Sequence, residues 1–116
     1  ASRETLASLA PKSVTTPVAM GISESLGGLP SLTAAIVILT GIVGAAMGPT
    51  VLDLARIRDP RARGLAMGTA AHGIGTARAL QVSQVAGAFA GIAIGLNALA
   101  TALLLPLLWA LVAPAG

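Results

Sequence analysis

Two long apolar runs alternate along the chain with segments that carry helix breakers and hydroxyl side chains. Residues 31–52 and 85–112 contain no ionisable side chain, and each is long enough to cross about 30 Å of hydrocarbon, which takes roughly 20 helical residues. Residues 11–17 and 68–78 interrupt the apolar pattern before these runs with proline or glycine, serine or threonine, and a charged or titratable side chain. The pattern therefore predicts a broken helix followed by a long transmembrane helix, twice.

The first unit, residues 1–55, begins with a predicted short helix over residues 2–10. Ser2 is a suitable N-cap for it, because its hydroxyl can accept a hydrogen bond from a free backbone N–H. Pro17 favours the start of a second half-helix, which Thr16 can cap. Two consecutive glycines end this half-helix, and the long apolar run follows.

The second unit, residues 62–116, repeats this order with little residue identity. Half-helices are predicted at 62–71 and 76–84, on either side of the sequence HGIG at 72–75. If each broken helix crosses the membrane, the chain crosses it four times and both termini are cytoplasmic. If each broken segment is a re-entrant hairpin, the topology differs. Composition does not decide between these alternatives.

The composition is that of a protein dissolved in lipid. Of the 116 residues, 55% are hydrophobic and only 9% are charged, whereas soluble domains carry about 25% charged residues. The predicted fold class is an all-α integral membrane protein, a single membrane domain over residues 1–116 with a transporter-like repeat of broken and long helices. Because the chain starts without methionine just before the first broken segment, we expect it to be the C-terminal half of a longer protein.

The charged residues concentrate in one loop, residues 53–63. It contains four arginines and two aspartates: Arg56, Arg58, Arg61, Arg63, Asp53 and Asp59. Loops rich in Lys and Arg remain on the cytoplasmic side of a membrane. We therefore expect a multi-pass protein of the cell inner membrane whose basic segment, residues 56–63, faces the cytoplasm.

The composition also argues against several classes of function. The chain has no cysteine, one histidine and four acids, so we expect no metal site and no cofactor. One Phe, one Trp and no Tyr, with most arginines in one loop, argue against a nucleic-acid surface. Ser13, His72 and Glu24 have the residue types of a hydrolytic triad. Their sequence contexts show no nucleophile motif, and we expect no enzymatic activity.

The first broken segment has the chemistry of a small-anion site. A free helix N-terminus presents unpaired N–H groups and a partial positive charge. Ser13, Thr15 and Thr16 add hydroxyl donors, and Lys12 adds a full cation. The structural alternative is an interfacial loop in which Lys12 reaches the lipid headgroups and the threonines cap the helix.

The second broken segment carries the remaining candidate ligands, which are Thr69, His72, Thr76 and Arg78. Ionisable groups inside membrane segments are costly and usually face a cavity or a partner. His72 could bind the substrate or carry a coupling proton, and the alternative is a structural hydrogen bond. Arg78 could bind a carboxylate through both arms of its guanidinium, or it could pair with Glu24 or lie at the membrane interface.

Glycines recur at small-xxx-small spacing in both long helices, and this spacing lets helix backbones approach closely. The positions are Gly44, Gly48, Gly87, Gly91 and Gly95. We expect them to serve helix packing within the protein or its oligomer. Asn97, in the second long helix, is expected to bond a neighbouring helix rather than a substrate.

These motifs resemble the LrgB/CidB family of membrane proteins. The matching strings are PKSVTTPVAMGISESLGGLPSLTA at 11–34, RIRDPRARGLAMGTAAHGIGTARAL at 56–80 and GAFAGIAIGLNALATALLLPLL at 87–108. In this family the PKSVTTP and GTAxHxxGTAR blocks form the signature, and they lie in the C-terminal half of a protein about twice this length.

The resemblance implies a bacterial inner-membrane protein described as antiholin-like, linked to control of murein hydrolase activity and autolysis, with a holin-like LrgA/CidA-type partner. A plastid relative translocates glycolate and glycerate, and bacterial relatives are linked to pyruvate uptake. One hypothesis is therefore a carrier for a small monocarboxylate that binds where the two broken helices meet. The other is a non-transporting regulator that assembles with a holin-like partner through its glycine-rich helix faces.

Overall fold

The computed structural model describes residues 1–113. Within them the chain forms five α-helices and no strand: α1 (Arg3–Leu9), α2 (Thr16–Ser25), α3 (Pro30–Leu54), α4 (Pro60–Val82) and α5 (Gln84–Val112). The molecule is 45 Å long, which is close to the length of α5 at about 1.5 Å per residue. The prediction of an all-α fold with two long apolar helices is confirmed.

Helices α3 and α5 expose their apolar side chains instead of burying them. Leu103 and Leu107 on α5 are 62% and 66% exposed, and Leu39 on α3 is 56% exposed. Both helices are long and apolar enough to span a bilayer, and few of their residues are buried in the fold. Apolar surface of this extent is unfavourable in water, so the solvent that suits it is lipid. The chain is a membrane protein.

Helices α1 and α2 form a hairpin, called here the first hairpin (residues 3–25), with its tip at residues 10–15. The Thr33 hydroxyl of α3 joins its two limbs. This hydroxyl lies 2.7 Å from the Ser23 hydroxyl of α2 and donates to the Ser8 carbonyl of α1 at 2.9 Å. All three side chains are buried, so polar groups from three helices satisfy one another and fix the fold-back of α2 on α1.

Gly27 and Gly28 turn the chain from α2 into α3. Gly27 has φ +84°, a left-handed conformation that glycine adopts without strain. Its N–H donates to the Glu24 carbonyl, and the Gly28 N–H donates to the Ser23 carbonyl; these are the two bonds of a Schellman motif. The glycine pair therefore ends α2 as predicted.

Helix α4 is also a hairpin, called here the second hairpin (residues 60–82). Ala71 (φ −129°, ψ 19°) and His72 (φ 43°, ψ −131°) leave the helical region and reverse the chain. The two limbs then lie side by side, because a Cβ added to Gly75 would overlap the Met67 carbonyl oxygen. In a straight helix these two residues would be about 12 Å apart along the axis.

The two hairpins approach the middle of α5 from opposite ends. At the base of the first hairpin, Arg3 lies 6.0 Å above the Trp109 ring, near the C-terminal end of α5. At the base of the second hairpin, a Cβ added to Gly64 would overlap the Ala86 carbonyl oxygen, near the start of α5. The two units therefore have opposite orientations, as in transporters built from inverted repeats.

Neither broken segment runs straight through the fold as a crossing helix. Arg3 and Trp109 lie at one end of the molecule. The basic loop lies at the other end, where Arg63 reaches back to Asp53 of α3 at 2.8 Å. The alternative with four crossings and both termini on the side of the basic loop is therefore wrong, and the hairpin alternative fits. The chain reversal at Ala71–His72 causes the difference.

The boundaries at both tips differ from the prediction. Helix α2 begins at Thr16, with Thr15 as its N-cap, and no side-chain capping bond forms. In the second hairpin the break lies at Ala71–His72 instead of over residues 72–75. Thr76 is therefore inside the second limb, where its hydroxyl donates to the His72 carbonyl at 2.9 Å.

Capping bonds and ion pairs order the exposed helix ends. Ser2 accepts from a first-turn N–H of α1 at 3.1 Å, as predicted. Asp59 caps α4 by accepting from the Arg61 N–H at 2.9 Å, and its carboxylate also binds the Arg61 guanidinium at 2.8 Å. Hydrogen bonds from the guanidinium and backbone of Arg61 lower the pKa of Asp59 to about 2.

Candidate anion site at the hairpin tips

The tips of the two hairpins meet beside the middle of α5. The side-chain amide of Asn97 donates to the Ser13 carbonyl of the first tip at 3.2 Å and to the Thr69 carbonyl of the second hairpin at 3.1 Å. Asn97 is about 20 Å along α5 from Gln84 and slightly further from Val112. The two broken segments singled out from the sequence therefore come together half-way along the molecule, and the expected bond from Asn97 to a neighbouring helix is present.

Lys12 lies at the first tip and lines an open groove of about 490 Å³ between α3 and the second hairpin. The other lining residues are Ile36, Leu39, Thr40, Val43, Gly44 and Ala70. Lys12 is exposed, and its ammonium donates to the Ser13 hydroxyl at 3.1 Å. Within residues 1–113 it has no carboxylate partner. A second open groove, of about 650 Å³, runs from Lys12 along α1 to Trp109.

Three threonine hydroxyls near the tips form no hydrogen bond within the described part of the chain. They belong to Thr15, Thr16 and Thr69, of which Thr69 is exposed. Thr15 and Thr16 stand at the N-terminus of α2, where the first N–H groups have no intrahelical acceptor and carry a partial positive charge. An ammonium with several hydroxyl donors is a set of groups that suits an anion.

His72 is turned away from this groove and packs against α3. The residue is only 5% exposed, and Nε2 lies 2.7 Å from the Val37 carbonyl oxygen. Because a carbonyl oxygen only accepts, Nε2 carries the proton and donates. A Cβ on Gly41 would lie 2.7 Å from the ring carbon Cε1, so the glycine makes room for the ring. These contacts support the structural alternative for His72.

Arg78 does not join the other candidate ligands. It lines a small cavity, of about 20 Å³, in the part of the fold near the basic loop, together with Arg63, Pro49 and Leu52. Its hydrogen-bond partner is Gln81 at 3.4 Å, and the alternative pairing with Glu24 does not form. The structure therefore brings the first tip, which carries Lys12 and Ser13, close to the Thr69 backbone of the second hairpin. It leaves Arg78 at the end of the second hairpin next to the basic loop.

The glycines of the two long helices divide into two groups. A Cβ on Gly44 would lie 2.5 Å from the Ala71 Cβ, and Cβ atoms on Gly48 and Gly87 would overlap Met67 and Leu80. These glycines therefore let the second hairpin pack closely against α3 and α5. Gly91 and Gly95 are exposed and have open space around them.

Sequence reasoning missed two features of this region. Thr40 looks like one more polar residue in an apolar helix, yet it shares the groove with Lys12. Asn97 was expected to bond one neighbour, yet it bonds both hairpins. A polar side chain in the middle of a 29-residue apolar helix was the available signal, but its partners are far away in the sequence.

The described residues contain no group of three His, Asp or Glu side chains close enough to hold a metal ion. The polar side chains at the tips carry an ammonium, on Lys12, and neutral hydroxyls. Cations such as calcium and magnesium take carboxylate and carbonyl oxygens instead. The available chemistry therefore favours binding of a small anion.

The family model and the most similar relatives point to the same family. The LrgB-like family matches residues 1–111. The chain is 46% identical over 101 residues to the Bacillus subtilis protein YwbG, covering 87% of this chain and 45% of that protein. It is 36% identical over 107 residues to proteins named Holin-like protein CidB from Staphylococcus epidermidis and Staphylococcus aureus, covering 92% of this chain and 47% of each.

The chain thus spans about half the length of the curated relatives it matches. No solved structure matches it. Because the family match extends over almost the whole chain and includes both hairpin tips, the chain belongs to the LrgB-like family.

Proposed function

We propose that this chain is part of a membrane carrier for a small monocarboxylate of the glycolate, glycerate or pyruvate type. The observation that carries the proposal is the position of Lys12. It lies at a hairpin tip half-way along the molecule, lines an open groove, and has no carboxylate partner within residues 1–113. Lys12, Ser13, Thr15, Thr16 and Thr69 are the proposed substrate ligands.

In the proposed arrangement the Lys12 ammonium lies at a poorly hydrated depth of the membrane. A charged side chain at mid-membrane depth costs about 3 kcal/mol or more unless a partner or water compensates it. A bound carboxylate would provide the missing charge, and the free threonine hydroxyls would provide hydrogen bonds. The short apolar body of such an acid suits a groove whose other walls are mainly aliphatic.

The membrane arrangement is part of this proposal. Helices α3 and α5 cross the cell inner membrane, and the two hairpins enter it from opposite sides as re-entrant segments. The basic loop at 56–63 then faces the cytoplasm. The two opposite orientations of the repeat place the site near the middle of the membrane, where alternating access exposes it to one side at a time. The remaining part of a longer protein, a homo-oligomer, or both would cover the exposed helix faces.

Uptake of labelled glycolate, lactate or pyruvate into liposomes that hold the full-length protein tests the proposal. We expect Lys12→Gln to lower uptake about 10- to 100-fold, because a charge-assisted hydrogen bond contributes about 1.5–3 kcal/mol. Arg58→Gln, which removes a cation in the basic loop, is the matched control and should change uptake little. The proposal would be contradicted if the protein took up none of these acids with its holin-like LrgA/CidA-type partner present. It would also be contradicted if Lys12→Gln and Arg58→Gln lowered uptake equally.

A coupling proton on His72 is a separate question. Its bond to the Val37 carbonyl already occupies the protonated ring nitrogen, which supports a structural role. His72→Gln keeps a donor at this place. If this variant transports with an unchanged pH dependence, His72 does not carry a coupling proton.

The second candidate function is a non-transporting, antiholin-like regulator linked to murein hydrolase activity and autolysis. Its support is the outward-facing pair Gly91 and Gly95, around which the structure leaves open space, and the name Holin-like protein CidB carried by relatives. Such a face would pack against a holin-like LrgA/CidA-type membrane partner. Gly91→Leu should then abolish association, whereas Lys12→Gln should leave function intact. Loss of function in Lys12→Gln with association preserved would count against the regulator.

A further inference from the structure

Asn97 ties the tip of the first hairpin to the second unit. Its Nδ2 atom donates to the Ser13 carbonyl at 3.2 Å and to the Thr69 carbonyl at 3.1 Å. Ser13 is next to Lys12 at the first tip, and Thr69 lies two residues before the break of the second hairpin. One amide group therefore holds the two proposed halves of the anion site.

The orientation of the Asn97 amide is fixed by its surroundings. Both partners are carbonyl oxygens, which only accept, so the group facing them must be the NH₂. On the other side the Thr101 hydroxyl donates to Oδ1 at 3.3 Å. The amide thus uses both of its hydrogens and its oxygen, and a flipped amide would lose both bonds to the carbonyls.

The two carbonyls that it binds are ones that regular helices leave unpaired. Ser13 lies in the turn between α1 and α2, and Thr69 lies in the last turn of a helical limb, where carbonyls have no donor four residues ahead. Inside a bilayer no water replaces these donors. The Asn97 amide meets this need for both hairpins at once.

We propose that Asn97 is a positioning residue that sets the distance between the two hairpin tips, and thereby the width of the monocarboxylate site between Lys12 and the second hairpin. The inference rests on the proposed carrier function for its effect on substrate, whereas the link between the hairpins stands on the two hydrogen bonds. Asn97 itself is not placed in contact with substrate. Thr101 supports it by orienting the amide.

The first measurement is uptake by the full-length protein in liposomes as a function of labelled pyruvate or glycolate concentration. Asn97→Leu keeps the size and shape of the side chain but removes its donors. We expect it to raise the half-saturation concentration at least 10-fold while changing the maximal rate less than 3-fold, and Thr101→Val to have the same effect in weaker form. Leu96→Ala, on the exposed face of the same turn, is the control.

The second measurement is the distance between the hairpins, which does not depend on transport. The chain has no cysteine, so spin labels can be attached at Gly21→Cys and Gly73→Cys, two positions with open space around them on the first and second hairpin. In lipid nanodiscs we expect one narrow distance distribution for the parent and for Leu96→Ala. Asn97→Leu should broaden or shift it.

The combined outcomes separate this inference from the carrier proposal. An unchanged distance distribution in Asn97→Leu overturns the positioning role, whatever happens to uptake. If Asn97→Leu changes the distance distribution but leaves the half-saturation concentration unchanged, the proposed effect of Asn97 on the substrate site is overturned. A changed distribution in a protein that transports none of the acids overturns the carrier proposal and leaves the link between the hairpins supported.

Discussion

The second hairpin packs tightly against α3 at Gly41, and Gly41→Ala is a direct probe of this contact. A Cβ at this position would lie 2.7 Å from Cε1 and 2.9 Å from Nε2 of His72, and 2.8 Å from Cδ1 of Ile74. The terminal methyl of Ile74 can rotate away. The imidazole ring can move only by giving up its hydrogen bond to the Val37 carbonyl.

The expected magnitude follows from three contributions. Leaving the buried ring N–H without an acceptor costs about 1–3 kcal/mol, and overpacking a tight contact costs about 1–3 kcal/mol. Replacing a glycine inside a helix by alanine recovers about 1 kcal/mol. We therefore expect Gly41→Ala to lower the free energy of unfolding by about 1–5 kcal/mol.

Equilibrium unfolding of the full-length protein in mixed micelles, followed by circular dichroism over a denaturing-detergent titration, measures this change. Gly95→Ala is the matched control, because Gly95 also lies inside a long helix but has open space around its missing Cβ. It should leave stability unchanged or raise it by up to about 1 kcal/mol.

A double-mutant cycle identifies the cause. In a His72→Ala background the ring is gone, so Gly41→Ala should lower the free energy of unfolding by less than about 1 kcal/mol. Equal effects of Gly41→Ala and Gly95→Ala would refute the reasoning. So would an undiminished cost of Gly41→Ala after His72 is removed.

Three further predictions concern the turns and the basic loop. Gly28→Ala should lower stability by about 2 kcal/mol, because the added Cβ would lie 2.5–2.9 Å from atoms of α1 and α2; thermal unfolding measures this. Arg56→Gly should raise stability by roughly 1 kcal/mol, since Arg56 has φ 59°, a strained conformation for a non-glycine residue. Arg58 does not have a positive φ, so the control Arg58→Gly should not raise stability. Asp59 has a pKa lowered to about 2 from 3.8, so its contribution to capping α4 is present above about pH 4 and is lost as the pH falls towards 2. Hydrogen exchange of the Arg61 amide should report this loss, and Asp59→Asn should not show it.

The helices themselves were predictable because their signals are local. The uncharged runs over 31–52 and 85–112 specify α3 and α5 by length and hydropathy alone. The glycine pair after α2 ends that helix as predicted, since the left-handed φ of Gly27 is a property of one residue. The Ser2 cap is equally local.

The sequence left the hairpin topology open, because in the second hairpin it depends on the backbone of Ala71 and His72, neither of which is glycine. His72 adopts φ 43°, although glycines follow it at 73 and 75 and looked like the natural place for the break. The ring of His72 is held by the Val37 carbonyl, 35 residues away. A tertiary contact therefore helps fix a local conformation that propensity would not select.

The candidate site shows the same division. The sequence by itself determined that Lys12, the tip threonines and the second broken segment are polar groups placed among apolar helices, and that the solvent around them is lipid. Only the tertiary structure decided which of them meet. Asn97 brings Ser13 and Thr69 together across 84 and 28 residues of chain, whereas the fold-back of the second hairpin carries Arg78 away towards the basic loop. The reason is that residue type fixes what a group can bond, while chain reversals and long-range hydrogen bonds fix which groups are near enough to do so.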